Sequence, residues 1–239
     1  MPRTALWTSI HAALSREIAD KHYGPGDKLP TEAQLAERFG VNRHTIRRAL
    51  AELQSSGLVF ARRGAGVFVA QNPTDYPIGR RIRFHQNLLA AGRTPRRSVQ
   101  HCETRAADAK EAEALQIEPE SIVHIVEGLS LADEAPIARY RSVFPKARLP
   151  GFLAHLREDV SITEALRKEG VFDYTRASTR IDAKIASATI ALHLQIREGA
   201  PVLRTIGINV DPNGVPIEYG RTWFAADRVT LTLSADELG

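Results

Sequence analysis

The sequence predicts an α+β chain in two parts, three short helices with a two-stranded hairpin followed by a larger domain built on an antiparallel sheet. Three observations predict it. Apolar residues recur at helical spacing in three capped segments near the N-terminus. Arginines crowd the third segment and the hairpin after it. Beyond residue 80 the chain repeats itself once, at an offset of 79 residues.

A chain of 239 residues can bury two ordinary cores without staples. With 43% hydrophobic and 25% charged residues it reads as globular rather than fibrous or disordered. No apolar run approaches the roughly 18 residues of a spanning helix, and no basic-then-apolar leader opens the chain. The expected location is cytoplasmic, with no membrane partner. The single Cys102 has no second thiol for a disulfide or a metal pair, so it reads as a small apolar residue. A net charge of +4 is too modest to identify a polyanionic partner, and distribution says more. Arg38, Arg43, Arg47, Arg48, Arg62 and Arg63 crowd a stretch in which Glu52 is the one acidic residue after Arg38.

The first helix is predicted over residues 6–21, where Ile10, Leu14 and Ile18 recur at spacing four before Tyr23-Gly24-Pro25-Gly26 breaks the pattern. Thr31 caps a second through Leu35 and Phe39, with Gln34 completing a capping box and Gly40 ending it. Asn42 caps a third, which turns Ile46, Leu50 and Leu53 inward and Arg43, His44, Arg47 and Arg48 outward. Two helices joined by so short a turn make a helix-turn-helix, whose second helix enters the major groove by its N-terminal end. Leu58-Val59-Phe60-Ala61 and Val67-Phe68-Val69 flank Arg62-Arg63-Gly64-Ala65-Gly66, a hairpin wing with a basic tip.

The runs Pro25-Gly26-Asp27-Lys28-Leu29-Pro30-Thr31-Glu32, Gly40-Val41-Asn42-Arg43-His44-Thr45-Ile46-Arg47-Arg48-Ala49-Leu50 and Gly64-Ala65-Gly66-Val67-Phe68-Val69 resemble the GntR regulator family. The resemblance implies a winged helix-turn-helix domain over residues 1–70 bound to double-stranded operator DNA. It also implies DNA contacts from Asn42, Arg43, Thr45, Arg47, Arg63 and Gly64. Ala33 stands where some members carry a DNA-contacting arginine, so base preference does not carry over.

Residues 71–79 are polar and punctuated by proline and read as a linker, leaving residues 80–239 as the second domain. There Ala112-Glu113-Ala114-Leu115-Gln116-Ile117 recurs as Ala191-Leu192-His193-Leu194-Gln195-Ile196, Val123 as Val202 and Gly128 as Gly207. Past a turn one residue longer in the second copy, Pro136, Ile137, Arg141 and Phe144 recur as Pro216, Ile217, Arg221 and Phe224. Each copy reads as a short helix, a strand, a turn and a second strand, so a pseudo-twofold domain with one shared antiparallel sheet and helices on one face is expected. Alternation puts Arg139 and Arg141 on one face of their strand and Tyr219 and Arg221 on one face of the equivalent strand. Such arginines either lie on a solvated sheet surface or line a cavity, where their forks hold a phosphate, phosphonate or carboxylate.

Arg139-Tyr140-Arg141, Thr179-Arg180-Ile181, Glu218-Tyr219 and Ala226-Asp227-Arg228 resemble the effector-binding UTRA domain of the HutC branch, related in fold to chorismate lyase. That resemblance implies an effector held by Arg83, Phe84, Arg139, Arg141, Ser161 and Glu218. Residues 80–88 are most similar to regulators of phosphonate metabolism, and Phe224 lacks the aromatic hydroxyl that some sugar-phosphate sensors place there. The chain is therefore expected to be a homodimeric repressor released by a small anionic metabolite, with a phosphonate or phosphate compound favoured and a carboxylate such as urocanate the alternative. A lyase-like enzyme is the rival class. His85, His101, His124, His155 and His193 are scattered, and no zinc spacing, phosphate loop or serine elbow is present. Glu218 among arginines stays ionised and makes a weak base. The expectation is no enzyme, cofactor or metal. An architectural DNA binder, its second domain serving dimerisation alone, is the third class.

Overall fold

The computed structural model describes residues 6–62, 64–70, 73–81, 84–158 and 160–234, without the side chains of Arg62 and His85. The chain divides into two compact units, residues 1–72 and 73–239.

The first unit contains α1 (Leu6–Ala19), α2 (Glu32–Phe39), α3 (Arg43–Ser55), β1 (Val59–Arg62) and β2 (Gly66–Val69). Local chemistry fixes most of these helix boundaries. Helix α1 stops short of the predicted residue 21 because Lys21 takes a left-handed φ of 60°. At α2 the Thr31 hydroxyl accepts from the Gln34 N–H while the Gln34 amide oxygen accepts from the Thr31 N–H. Gly40, at φ 64°, closes that helix in the left-handed conformation glycine tolerates, its N–H turned back to the carbonyls of Ala36 and Glu37. The Asn42 side chain accepts from the Thr45 N–H and opens α3. Ile10, Leu14, Leu35, Ile46, Leu50 and Leu53 form the core, with Val59 and Val69 added by the hairpin. Strands β1 and β2 pair antiparallel, and Phe60 stacks on Phe68 across them.

The second unit runs β3 (Thr74–Pro77), α4 (Phe84–Ala90), β4 (Pro95–Ala106), α5 (Ala109–Leu115), β5 (Ile122–Ala132), β6 (Ala135–Pro145), α6 (Phe152–Glu158), α7 (Ile162–Lys168), β7 (Thr175–Ile185), α8 (Ala188–Leu194), β8 (Pro201–Val210), β9 (Pro216–Ala225) and β10 (Val229–Thr232). Six strands form one antiparallel sheet in the order β4-β5-β6-β9-β8-β7. Its two halves are the two repeats, β4-α5-β5-β6 and β7-α8-β8-β9, so each copy begins one strand earlier than the sequence motif marked. Arg141 pairs in register with its counterpart Arg221 where the halves meet. The copies match in capping as well: Asp108 and Ser187 cap α5 and α8, and both helices end on a left-handed glutamine, Gln116 and Gln195, at φ 53°.

Two expectations change. Helices cover both faces of the sheet, not one. Helices α5 and α8 pack against Val123, Ile125, Val143, Val202 and Ala225, while α4, α6 and α7 cover the face carrying Val126, Ala138, Tyr140, Phe144 and Phe224. The segment 71–79, read as a linker, contains β3, which pairs in parallel with β10. Tyr76 and Ile78 alternate inward from it and are buried, and this apolar alternation outweighs the polar and proline-rich composition of the run.

Candidate functional site

In the first unit, Arg43 and Arg47 stand exposed on the first two turns of α3, beside His44. Asn42 and Thr45 hold the turn at their base through the capping bond, 3.1 Å long. Among the described residues Arg43 has no hydrogen-bond or ion-pair partner. Arg47 is engaged: its Nε and Nη2 donate to both oxygens of Glu32, at 3.1 and 2.8 Å, and that bond holds the Glu32 carboxyl below its usual pKa. Arg48 lies 4.7 Å from the ring centre of Trp7 and Arg38 is bound to Glu17, so both serve the unit's own packing. Gly64 sits in the wing turn at φ 76°, a conformation that exposes its backbone at the tip. Arg63 lies outside the described residues. This surface offers a helix N-terminus, one forked cation in Arg43 that is free among the described residues, a second in Arg47 held by Glu32, and the glycine of the wing turn, groups suited to phosphate oxygens and base edges.

The second unit encloses a cavity of about 50 Å³ on the sheet face under β3 and α4. Its polar lining is two arginines, Arg97 of β4 and Arg176 of β7, with the hydroxyls of Tyr76, Ser130, Tyr140, Thr179, Thr205 and Thr222. The two arginines are equivalents under the 79-residue offset, one from each repeat. Arg97 lies over the rings of Phe84 and Tyr140, 5.3 and 4.8 Å from their centres. Its Nε and the Tyr140 hydroxyl are buried with no hydrogen-bond partner among the described residues, a costly condition that a bound acceptor relieves. Arg176 donates from Nε to Asn209 Oδ1 at 2.7 Å and from Nη1 towards Thr179 at 3.4 Å. Burial pulls its pKa down, and the Glu218 charge opposes that; a guanidinium remains a cation in either case. Burial pushes Tyr76 and Tyr140 up to about 12, so both phenols are neutral and able to donate near pH 7.

Of the residues carried over for effector binding, Phe84 lines this cavity. Glu218 lies on the same face one tier back, accepting from Ser142 and from Asn209, both at 2.6 Å. It thereby orients the amide that holds Arg176. Arg139 and Arg141 alternate with the cavity residues Ala138 and Tyr140 and so project from the opposite face. There Arg141 pairs with Glu111 at 2.9 Å and Glu127 at 3.1 Å, while Arg139 donates to Glu127 at 2.8 Å and lies over Trp223. These cations are already neutralised inside the fold, and neither lines the cavity. Ser161 caps α7 through the Glu164 N–H at 3.2 Å and does not line the cavity either. Arg83 lies outside the described residues. Sequence reasoning missed Arg97 and Arg176, although the repeat offset relates them.

A capped helix pair with a basic second helix and a wing, joined to a separate ligand-type cavity, defines a DNA-binding regulator with a sensor domain. Comparison with known proteins agrees. Residues 6–69 match the family model of bacterial regulatory proteins of the gntR family, and residues 90–230 match the UTRA domain. The chain belongs to the GntR family of transcription regulators, in the group whose second domain is UTRA. It is 36% identical to an HTH-type transcriptional regulator of Rhizobium meliloti over 96% of this chain and 94% of that one. It is 34% identical to the probable transcriptional regulator PhnF of Escherichia coli, over 95% and 94%. The crystal structure of PhnF from Mycobacterium smegmatis superposes with a TM-score of 0.65 at 28% identity, covering 94% of this chain and 98% of that one.

The Glu32–Arg47 pair gives a first prediction. Glu32→Gln is expected to raise affinity for operator DNA about two- to fivefold, since an exposed ion pair worth roughly 1 kcal/mol or less no longer competes with phosphate. Fluorescence anisotropy with a labelled duplex measures it. A fall in affinity would mean that Glu32 presents Arg47 to the DNA rather than withholding it.

Proposed function

We propose that this protein is a dimeric repressor that leaves its operator when a small oxyanion, a phosphonate or phosphate compound, occupies the cavity of its second unit. DNA contact falls to Asn42, Arg43, Thr45, Arg47, Arg63 and Gly64, two copies reading the half-sites of a pseudo-palindrome. The observation that carries the ligand reading is the convergence of Arg97 and Arg176, one from each repeat, on a single cavity beside an unpaired phenol. A water site needs about 10–15 Å³, so 50 Å³ admits a headgroup of a few atoms. A tetrahedral oxyanion with a short tail meets that size, and two guanidinium groups with several hydroxyls meet its acceptors. Ile78, Phe84, Ala138 and Phe224 supply an apolar side for the tail. Coupling of about 1–3 kcal/mol between cavity and DNA would change operator affinity some five- to 150-fold.

Thermal melting of the whole protein tests the reading. A ligand at about 100 times its dissociation constant adds roughly 2.7 kcal/mol, a rise of about 5–10 °C for a unit of this size. The expected result is a rise with inorganic phosphate or an alkylphosphonate that disappears in Arg97→Ala and Arg176→Ala and survives in Arg139→Ala. Loss of the response in Arg139→Ala alone would move the site to the other face of the sheet. A rise with urocanate and with no phosphorus compound would make the protein a carboxylate sensor.

A further inference from the structure

Two glycines make room for the cavity's polar groups. Gly128 on β5 and Gly207 on β8 occupy equivalent positions of the two repeats. Neither has a positive φ, so no turn demands glycine there, although Gly128 faces the bulge in β4 at Val99. Glycine within a strand weakens it, through chain entropy and through the missing side chain. Space explains both positions. A Cβ on Gly207 would stand 1.7 Å from Arg176 Nη1 and 2.5 Å from its Cζ; one on Gly128 would stand 2.6 Å from the Tyr140 hydroxyl and 2.1 Å from the Ser98 carbonyl oxygen. The Arg176 side chain, rooted on edge strand β7, therefore crosses its neighbour β8 over bare backbone.

We infer that Gly207 is a specificity-determining residue of the sensor, because the missing side chain admits the Arg176 guanidinium to the cavity and with it the positive charge that selects an anion. The inference rests on reading the cavity as the effector site. Gly128 differs: a Cβ there would meet the Ser98 backbone carbonyl first and the Tyr140 hydroxyl second, so close backbone approach already accounts for it. Arg176 cannot withdraw freely. Its Nε is committed to Asn209, Asn209 is held by Glu218, and Thr179 lies against Nη1. A methyl group at position 207 pushes the guanidinium off these partners and out of reach of a ligand in the cavity.

The test uses the full-length protein with Gly207→Ala, Arg176→Ala and the double variant. Without ligand, the Arg176 Nε–H resonance is expected to be protected from exchange in the wild type and unprotected in Gly207→Ala. In calorimetry with inorganic phosphate and with methylphosphonate, Gly207→Ala and Arg176→Ala are each expected to lose about ten- to 100-fold in affinity, as for a lost charged hydrogen bond. The double variant loses no more than Arg176→Ala alone. If Gly207→Ala folds poorly, removing the Arg176 side chain in that background restores the melting temperature, because the two atoms that collide are no longer both present. Unchanged Nε–H protection in Gly207→Ala, or losses that multiply in the double variant, would overturn the inference. A wild-type protein that binds neither probe while Gly207→Ala still frees the Arg176 Nε–H would overturn the effector reading, and the specificity role would fall with it.

Discussion

Glu111→Ala is expected to destabilise the second unit by about 3–5 kcal/mol, the range for removing one partner of a buried ion pair. The Glu111 carboxylate has no exposed surface and receives four bonds. Arg105 donates to both its oxygens at 2.9 Å, Arg141 reaches it at 2.9 Å, and the Asp108 N–H closes the capping box of α5. Truncation leaves Arg105 and Arg141 without their principal anion under a helix that has lost part of its N-terminal cap. Although burial opposes it, these bonds together hold the Glu111 pKa at about 2 against 4.5 for a free carboxyl. A pKa depressed by folding contributes stability that is complete above the unfolded value and is lost as pH falls from about 4.5 through 2, about 3 kcal/mol in all. Urea unfolding at pH 7, 4 and 2.5 measures both effects, and Glu111→Ala should flatten that part of the acid dependence. A loss below about 1 kcal/mol at pH 7 would mean that Glu103 takes over Arg105 and Glu127 takes over Arg141.

Arg43→Ala is expected to weaken operator binding five- to 150-fold, about 1–3 kcal/mol, with the fold unchanged. Arg43 stands at the first position of α3, exposed and without a partner among the described residues, so its removal costs the isolated protein nothing. Arg48→Ala is the internal contrast. Its guanidinium lies over Trp7, so it should lower the melting temperature more than it lowers DNA affinity. Anisotropy titrations of a duplex selected from a random pool, repeated across salt concentrations, separate the possibilities. A loss confined to one base position marks a base contact. A uniform loss with the salt slope reduced by about 0.9 marks a phosphate contact, and no loss in either would remove Arg43 from the interface.

The helix-turn-helix was legible in the sequence because its signals are local. Thr31 and Gln34, Gly40 and Asn42 each act within one turn, and the structure shows each bond they promise. The repeat was legible because a helix run and matched strand positions recur at a fixed offset, Leu115-Gln116-Ile117 as Leu194-Gln195-Ile196 and Gly128 as Gly207. The cavity was not, because alternation tells which residues share a strand face but not what covers that face. Arg139 and Arg141 share one, and their partners Glu111 and Glu127 come from a helix and a neighbouring strand. Arg97 and Arg176 sit on edge strands whose period is broken by bulges, between Val99 and His101 and between Arg176 and Ser178. Tyr76 and Ile78 were hidden in a run whose prolines read as linker, yet Pro77 is tolerable in a strand that pairs along one side.

That short strand has a mechanical meaning. β3 is the first stretch of the second unit after residue 72, and it is clasped in parallel by β10, the last strand described. The same four residues carry Tyr76 into the cavity wall, against Phe84 and Phe224. The first strand after the unit boundary is thus built into the cavity wall, and β10 holds it there. Whatever loosens residues 229–232 is therefore expected to disturb the cavity wall without altering a residue that lines it.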